Sequence, residues 1–344
     1  MIKIMAVIMG ILYYSTQLYS GIQYEVIQRL YPLKPEVIRV LDIDMNNQQI
    51  RVENGLSFGV LYGFETTSAM VEDNQATIGV NGMFYNDLGL PYGLMVHEGK
   101  PVRAQYIGTP TVLIDTNNQV SIADVRLKAF VTLHNQDIEL YGFNGLVPDG
   151  KWVLFDEVYG KTTRVRRPST NYMIRDNLVV DIIITDQPVA LKGWDHVLTF
   201  VGENKTIKIG DTFKLELNYG LGDVNVKEAF GTGAWLVKNG ENVAKEYEAF
   251  MGYTTAYQPR TLVGVTGDNH LVLAVVDGRL EGESLGMTGQ ESAKLMLELG
   301  CIQAAYLDGG SSSTLVINNK VINEPSGGEE RAIAHSILIF HQKK

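Results

Sequence analysis

The stretch that decides the fold of this chain is IQAAYLDGGSSSTLV, residues 302–316. An apolar run ends at the carboxylate of Asp308, two glycines follow, and four consecutive hydroxyl residues lead into a second apolar run. This pattern predicts a buried strand that ends at a tight turn, with Asp308 at the strand end. Gly309 and Gly310 allow positive φ angles and a close approach of the backbone to a ligand. The alternative is a hairpin turn with a solvated aspartate.

The same turn indicates chemistry at a phosphate. Successive N–H groups in a glycine-rich turn form a concavity suited to anions, and the hydroxyl side chains that follow can add donors. A carboxylate beside such a concavity favours a substrate that bears a phosphate. We therefore predict Asp308 as a catalytic residue and predict phosphate contacts from Gly309, Gly310, Ser311 and Ser312.

Composition describes an ordinary globular protein. The 344 residues are 45% hydrophobic and 20% charged, and the 35 glycines and 10 prolines favour many short strands and tight turns. A formal charge of −10 argues against a nucleic-acid partner. The single cysteine, Cys301, cannot form a disulfide within the chain, and its apolar surroundings predict a buried, inert thiol. No metal-ligand spacing is visible among the histidines, so we predict neither a metal site nor a cofactor.

Residue patterns predict a single α+β domain, rich in β-structure with mixed sheets and a few helices. Thr288 and Glu291 form a capping box before a helix that ends at Gly300. Residues 261–265 and 271–276 flank a Gly-Asp-Asn turn and predict a hairpin. Residues 37–52 predict two strands around a polar turn, and residues 179–184 predict another. No repeat, linker or domain boundary is visible.

Three apolar runs each end in a polar residue followed by glycine. These polar residues are Asn81, Asp277 and Asp308, and two of the runs have an arginine close by, Arg260 or Arg279. Strand ends that carry a carboxylate or an amide commonly form the rim of a binding site. Each Asp-Gly or Asn-Gly pair alone is also good turn chemistry, but the three together favour a site.

The N-terminal residues 1–20 are typical of an export segment. Lys3 precedes an apolar stretch that fades at Ser15, Thr16 and Gln17. The stretch is short for a membrane span and suits the hydrophobic region of a signal peptide, although no Ala-x-Ala cleavage site is visible. We predict either cleavage near Ser20 or retention as a membrane anchor, with residues 21–344 as the functional domain. The alternative is an N-terminal helix packed on that domain.

The ordered motifs of the chain resemble those of the phosphodiester glycosidase family. The resemblance runs from residue 77 to residue 340 and is dense over residues 231–340. Its motifs occur here in the family's order: NGMF (81–84), GTGAWLVKNG (231–240), PRT (259–261), VDGR (276–279), GMT (286–288), LDGGSS (307–312) and ERA (330–332). The ordered set is specific, whereas any single element would not be.

This resemblance implies hydrolysis of the sugar C1–O–phosphate bond of a sugar-1-phosphodiester. Such a substrate has a good leaving group, so the site needs donors on the phosphate and a carboxylate at the anomeric carbon. Asp277 and Asp308 are the candidate carboxylates, with their roles left open. Arg260, Arg279 and Arg331 could bind phosphate oxygens bidentately. Asn81 is predicted to contact the sugar or the phosphate, or else to cap a turn.

Two other functions remain open from the sequence. A metal-dependent phosphodiesterase would cut the O–P bond instead, and a phosphoglycan-binding module would use the same phosphate contacts without turnover. The expected partner is a sugar-1-phosphodiester or a phosphoglycan of the cell wall. We expect an extracellular or cell-surface location, contact with a membrane only through the N-terminal segment, and a bacterial or phage origin. The oligomeric state is left open.

Overall fold

Strands dominate the computed structural model, which describes residues 4–8, 10–30, 34–104, 107–133, 136–222 and 224–342. The prediction of a β-rich chain with few helices is confirmed, while the single domain stays a prediction. Nearly all strand pairs in the described ranges are antiparallel, and the short pair formed by residues 142–143 and 153–154 is parallel. The strands are numbered β1 to β29 along the chain.

The largest sheet, called the main sheet, carries the strands around Asp277 and Asp308 and is antiparallel in its described pairs. Its strands, in spatial order, are β1 (Ile4–Ile8), β2 (Ile11–Tyr19), β3 (Ile22–Arg29), β4 (Glu36–Asp44), β25 (His270–Val276), β24 (Arg260–Thr266), β26 (Cys301–Tyr306), β20 (Trp235–Lys238) and β21 (Glu241–Asn242). The predicted hairpin is confirmed as β24 and β25.

Two five-stranded sheets pack near the main sheet. The second sheet contains β28 (Lys320–Val321), β27 (Leu315–Ile317), β6 (Ile78–Asn81), β29 (His335–His341) and β5 (Ile50–Leu56). The third sheet contains β10 (Val120–Ala123), β9 (Thr111–Asp115), β19 (Val226–Gly231), β7 (Leu94–His97) and β8 (Lys100–Ala104). The two strands predicted within residues 37–52 are therefore confirmed as β4 and β5, but they belong to different sheets.

The middle of the chain builds a fourth sheet and two smaller ones. The fourth sheet contains β13 (Gly142–Phe143), β14 (Trp152–Phe155), β17 (His196–Val201), β15 (Ser169–Arg175) and β16 (Leu178–Thr185). The smaller sheets contain β12 (Gln136–Glu139), β11 (Lys128–Leu133) and β18 (Phe213–Asn218), and β22 (Tyr247–Glu248) and β23 (Gly252–Tyr253). The strand predicted at residues 179–184 is confirmed as β16.

Both faces of the main sheet are covered, because its central strands are apolar on both sides. In β25, Leu271 and Leu273 belong to the largest core cluster, whereas Val272 and Ala274 belong to a second cluster that includes Met296 of the second helix. Alternate residues of a strand point to opposite faces, so this division places the other sheets on one face and the helix on the other. The edge where the strands end remains available for a site.

Two α-helices lie within the described residues. Helix α1 (Thr67–Asp73) begins at Thr66, whose side chain accepts from the Ala69 amide, and it was not predicted from the sequence. Helix α2 (Gly289–Glu298) begins with the predicted capping box between Thr288 and Glu291, and Gly300 follows its end with a φ of 81°. The prediction of this helix and its caps is confirmed.

The N-terminal segment is extended rather than helical. Residues 11–19 form β2, which pairs along β3, and Ser15 and Thr16 are buried. The alternative of an N-terminal helix packed on the domain is therefore wrong for the described part, while residues 1–3 and 9 lie outside it. Among described helices, none has the length and apolar character to cross a membrane. Export or anchoring through residues 1–20 stays a prediction.

Candidate active site

The predicted rim of strand ends forms at one edge of the main sheet. Strand β24 lies between β25 and β26 and runs antiparallel to both. Its first residue, Arg260, therefore pairs with Val276 at the end of β25, and Leu262 pairs with Tyr306 at the end of β26. Asp277 directly follows the end of β25, and Asp308 lies two residues after the end of β26. The antiparallel order thus places both carboxylates at the edge where Arg260 begins.

Asn81 joins this edge to the second sheet. Its side-chain Nδ2 donates to the Asp308 carbonyl at 2.5 Å, and its Oδ1 accepts from Thr261 Oγ1 at 2.8 Å and from the Thr314 amide at 3.0 Å. The side chain is fully buried. These contacts make Asn81 a residue that fixes the backbone of Asp308, and they leave one amide proton for any other partner. A direct contact with substrate stays a prediction.

Asp308 lies half-buried beside two hydroxyl groups. Its backbone N–H donates to the Gly82 carbonyl at 2.9 Å. Burial raises the pKa of Asp308 to about 6, although Ser312, Arg331 and the Gly309 amide favour its charged form. The Ser312 hydroxyl stands close to the carboxylate, but its geometry falls short of a full hydrogen bond. A carboxyl group with this pKa can exchange protons near neutral pH.

Tyr85 belongs to the same cluster, and sequence reasoning missed it. Its buried phenol lies beside the Ser312 hydroxyl, but neither hydroxyl makes a hydrogen bond of full geometry with a described residue. Burial raises the pKa of Tyr85, and the charge of Asp308 raises it further. Buried polar groups are usually hydrogen-bonded, so these two unpaired hydroxyls indicate a place where a ligand can complete the bonding. In the sequence, the feature that could have identified Tyr85 as a site residue is its position directly after the NGMF motif.

The hydroxyl-rich turn differs from the predicted amide concavity. The N–H groups of Gly310, Ser312 and Ser313 donate to carbonyls of Pro259, Gly309 and Gly310, within a short 3₁₀ turn. The expectation that successive amides of this turn cradle an anion is therefore wrong for these three groups. The prediction of positive φ is confirmed for Gly310, at 62°, whereas Gly309 has a φ of −117°.

Arg331 and Arg279 each lie against a residue of the turn. Arg331 Nη1 donates to Ser311 Oγ at 3.4 Å, and its guanidinium lies 6.0 Å from the Tyr85 ring centroid. The guanidinium of Arg279 lies against Gly310, where an added Cβ would come within 3.4 Å of Nη2. Arg279 also binds Gln258 Oε1 through Nε at 2.8 Å and through Nη2. Both arginines are exposed, so each can reach a ligand above the turn.

Arg260 is a buried cation at the base of the site. Its Nε donates to the Met287 carbonyl at 2.9 Å, and its Nη2 donates to the Ala256 carbonyl at 3.2 Å. The described residues give it no carboxylate partner. Burial lowers the pKa of Arg260, and the charge of Arg279 lowers it further. Two guanidinium groups that repel each other at one edge favour a bound anion between or above them.

Asp277 lies in a different environment from Asp308. Its carboxylate forms a buried ion pair with Arg39 of β4 and accepts from the Glu324 amide at 3.2 Å. Burial raises the pKa of Asp277, although Arg39 favours the charged form. Sequence reasoning missed Arg39, because nothing in its own strand marks it as a partner of a distant turn. A catalytic role for Asp277 stays a prediction.

A buried histidine supports the segment that holds Asp308. His335 Nδ1 accepts from the Met83 amide at 3.1 Å, and its Nε2 donates to Asn54 Oδ1 at 2.8 Å. Burial lowers the pKa of His335 to about 3, which keeps Nδ1 free to accept. A Cβ at Gly82 would lie 2.1 Å from this nitrogen. Only glycine fits there, and the motif residue Gly82 is explained by this close approach.

Among the described residues, neither Cys301 nor a cluster of metal-ligating side chains contributes to the site. The thiol of Cys301 is buried, which confirms that part of the prediction, and burial raises its pKa to about 12, so little thiolate forms at neutral pH. Within the described ranges, histidine, cysteine and carboxylate side chains form no group of three that could hold a metal ion.

Comparisons with known proteins identify relatives over part of the chain. A profile of the phosphodiester glycosidase family matches residues 163–340. The chain is 35% identical over 115 residues to the SPbeta prophage-derived uncharacterized protein YomE of Bacillus subtilis (strain 168), covering 33% of this chain and 18% of that protein. It is 33% identical over 103 residues to N-acetylglucosamine-1-phosphodiester alpha-N-acetylglucosaminidase of Bos taurus, covering 27% of this chain and 19% of that protein. Each match therefore spans about a fifth of the curated relative.

Solved structures share the fold. A hypothetical protein from Synechocystis matches with a TM-score of 0.81 at 15% identity, over 96% of this chain and 64% of that chain. A Burkholderia pseudomallei K96243 protein, named as exported, matches with a TM-score of 0.70 at 20% identity, over 89% of this chain and 74% of that chain. At these identities the likeness concerns the fold alone.

Proposed function

Because the chain belongs to the phosphodiester glycosidase family, we propose that it is a hydrolase that cleaves the C1–O bond of a sugar-1-phosphodiester. The observation that carries the proposal is the environment of Asp308. A carboxyl group with a pKa of about 6 stands beside the Ser312 hydroxyl and close enough to Arg331 to be affected by its charge, and Arg279 lies against Gly310 of the same turn. This combination suits a reaction in which positive charge develops on a sugar and negative charge on a phosphate.

In the proposed reaction, water adds to the anomeric carbon and the C1–O bond to the phosphate breaks. The bonding electrons leave with the phosphate oxygen, so the products are the free sugar and a phosphomonoester. The Asp308 carboxylate, charged above pH 6, either stabilises the cationic anomeric centre or takes the proton from the attacking water. The pKa near 6 favours the second role. Tyr85 and Ser312 are placed to donate to substrate oxygens.

The arginines act on the phosphate. Arg331 contacts Ser311 and Arg279 lies against Gly310, so both guanidinium groups could neutralise the diester and its leaving oxygen. Arg260 lies deeper and holds a positive charge without a carboxylate partner among the described residues, so it supports the same anion from below. Donors on the hydroxyl turn, chiefly Ser311, complete the phosphate contacts. The amides of the turn contribute less than the sequence predicts, because three of them are already bonded.

Asp277 is proposed to act through position rather than through contact with the reacting atoms. Its carboxylate already binds Arg39 and the Glu324 amide, and Glu324 lies in the loop that precedes Arg331. This ion pair ties β25 to β4 beneath the site. A direct role for Asp277 would require it to give up one of these bonds, and the substitutions described in the Discussion distinguish the two roles.

We propose a phosphoglycan of the bacterial cell wall or cell surface as the natural substrate, with an extracellular location for the protein. A protein with a similar fold is named as exported, which supports this location. The relative from a Bacillus subtilis prophage supports a bacterial or phage origin.

The experiment that tests the activity is hydrolysis of methyl diesters of α-N-acetylglucosamine-1-phosphate and α-glucose-1-phosphate in oxygen-18 water. We expect the label on the sugar C1 hydroxyl and an unlabelled methyl phosphate. Label in the phosphate, with turnover lost on chelation, would assign a metal-dependent phosphodiesterase. Saturable binding of every diester without any product would assign a binding module.

A further inference from the structure

A cavity lies in the middle section of the chain, apart from the Asp308 cluster. It has a volume of about 490 Å³ and is bounded by strands of the third and fourth sheets and by β18. None of its lining residues belongs to the candidate active site. The volume lies within the range of small-molecule sites.

One wall of this cavity is the half-buried indole of Trp194. The guanidinium of Arg175 stacks over the indole, 4.7 Å from the ring centroid, and its Nη2 donates to the Gly193 carbonyl at 2.6 Å. Arg175 does not itself line the cavity, and its guanidinium occupies one face of the ring. Trp194 therefore gives the cavity an aromatic wall, and Arg175 holds the indole in place.

Three carboxylates line the cavity, and each accepts hydrogen bonds through one of its two oxygens. Asp156 Oδ1 accepts from the Val158 amide at 3.0 Å, as well as from an asparagine side chain. Glu157 Oε1 accepts from the Gly193 amide at 2.7 Å, and Asp195 Oδ2 accepts from a backbone amide at 2.7 Å. Within the described residues, the second oxygen of each carboxylate has no hydrogen bond. The cavity thus contains oriented acceptors that are still available.

Donors line the same cavity. Lys100 and Asn177 contribute N–H groups, and the His196 ring makes no hydrogen bond to a described residue. Burial lowers the pKa of His196, although Asp156 and Asp195 oppose this, so the ring is neutral at pH 7 and has one donor and one acceptor nitrogen. Burial also raises the pKa of Asp156. The wall therefore mixes donors, acceptors and an aromatic face.

We propose that this cavity binds a neutral sugar unit and is a second carbohydrate site of the protein. The three carboxylates outweigh the single charge of Lys100, so the lining disfavours an anion such as a sugar phosphate. A sugar hydroxyl both donates and accepts, which matches the mixed lining, and the apolar face of a sugar ring fits against Trp194. The inference does not rest on the proposed hydrolysis, since it requires binding without chemistry.

The test is saturation-transfer NMR and calorimetry on the full chain with methyl α-D-glucopyranoside, N-acetylglucosamine, maltotriose and chitotriose. We expect saturable binding of at least one probe with a Kd on the order of 1 mM. Trp194→Ala should weaken this binding by about tenfold or more, since it removes an apolar contact surface. Trp235→Ala is the matched control and should leave it unchanged, because Trp235 donates to Asp124 outside the cavity.

A second variant tests whether a loss of binding can be separated from a loss of folding. Lys100 is exposed, so Lys100→Ala should keep the native melting profile while weakening sugar binding severalfold. Asp308→Asn should retain full binding of the neutral probes. The proposal is overturned if none of the probes binds saturably up to about 20 mM. It is equally overturned if both cavity variants bind normally, or if Asp308→Asn abolishes binding, which would place the sugar at the active site.

Discussion

Asp308→Asn should remove activity and stabilise the fold at the same time. The pKa of Asp308 rises from 3.8 to about 6, because the charged carboxylate loses hydration in the folded state. Each pKa unit corresponds to about 1.4 kcal/mol, so above pH 6 the charge costs the folded protein up to about 3 kcal/mol. The residue keeps partial contact with solvent, and we therefore expect the neutral variant to gain about 1–3 kcal/mol of unfolding free energy at pH 7.5.

The sign of this effect depends on pH. A raised pKa means that the folded state binds the proton more tightly than the unfolded state, so the wild-type protein loses stability as pH rises from about 4 to about 6. Asparagine has no such dependence. The stability difference between the two proteins should therefore be largest at pH 7.5 and vanish near pH 4.

The kinetic effect should be large. Loss of an essential catalytic group typically lowers kcat by about a thousandfold, which corresponds to about 4 kcal/mol. Substrate affinity should hold or improve, because the variant removes a negative charge near the phosphate. Wild-type turnover should itself fall as pH drops through about 6, as Asp308 becomes protonated.

The assay combines hydrolysis of a methyl sugar-1-phosphodiester with denaturant unfolding at pH 7.5 and pH 4. Asp268→Asn is the matched control, because Asp268 is an exposed turn carboxylate that binds Thr266, and it should leave turnover unchanged. Near-normal turnover of Asp308→Asn, with an inactive Asp277→Asn, would assign the catalytic role to Asp277. Activity in both variants would refute the carboxylate mechanism. A less stable Asp308→Asn at pH 7.5 would show that the carboxylate is structural.

Three further predictions concern the surroundings of the site. Asp277→Asn should leave the free energy of unfolding at pH 7.5 unchanged or higher, because burial raises the pKa of Asp277 despite Arg39 and the charged form therefore costs the folded state; a clear loss of stability in urea would show that the Arg39 ion pair outweighs burial. Arg331→Ala and Arg279→Ala should each lower kcat/KM for diesters, through the loss of about 2–4 kcal/mol of transition-state stabilisation, while the melting temperature stays normal. An equal loss of folding stability would show that the arginine is structural. A protein that starts at Gly21 should melt at a lower temperature, because β2 pairs along β3; unchanged melting and activity would support the export segment.

The local elements could be predicted because their signals lie within a few residues. The capping box of Thr288 and Glu291 fixes the start of α2, and the Gly-Asp-Asn turn joins β24 to β25. Turn chemistry after apolar runs also located the edge that carries Asp277 and Asp308. Antiparallel neighbours bring such strand ends together, so this part of the site follows from the order of the chain.

The interactions at the edge could not be predicted, because their partners are remote in sequence. The carboxylate of Asp277 is engaged in an ion pair with Arg39 of β4, and the side-chain oxygen of Asn81 accepts hydrogen bonds from Thr261 and Thr314. The turn amides were expected to be open, but Gly310 donates to Pro259 of another strand. Apolar N-terminal residues suggested export, yet β2 uses them to extend the main sheet.

The sequence by itself thus determined the strand-rich fold, the capped helix and the residue types gathered at the site. Only the tertiary structure decided the state of each group. Burial raises the pKa of Asp308 and lowers that of His335, and burial depends on the sheets that close over a residue. Hydrogen bonding likewise depends on donors and acceptors from other strands. These quantities arise only when distant segments pack together, so no local pattern contains them.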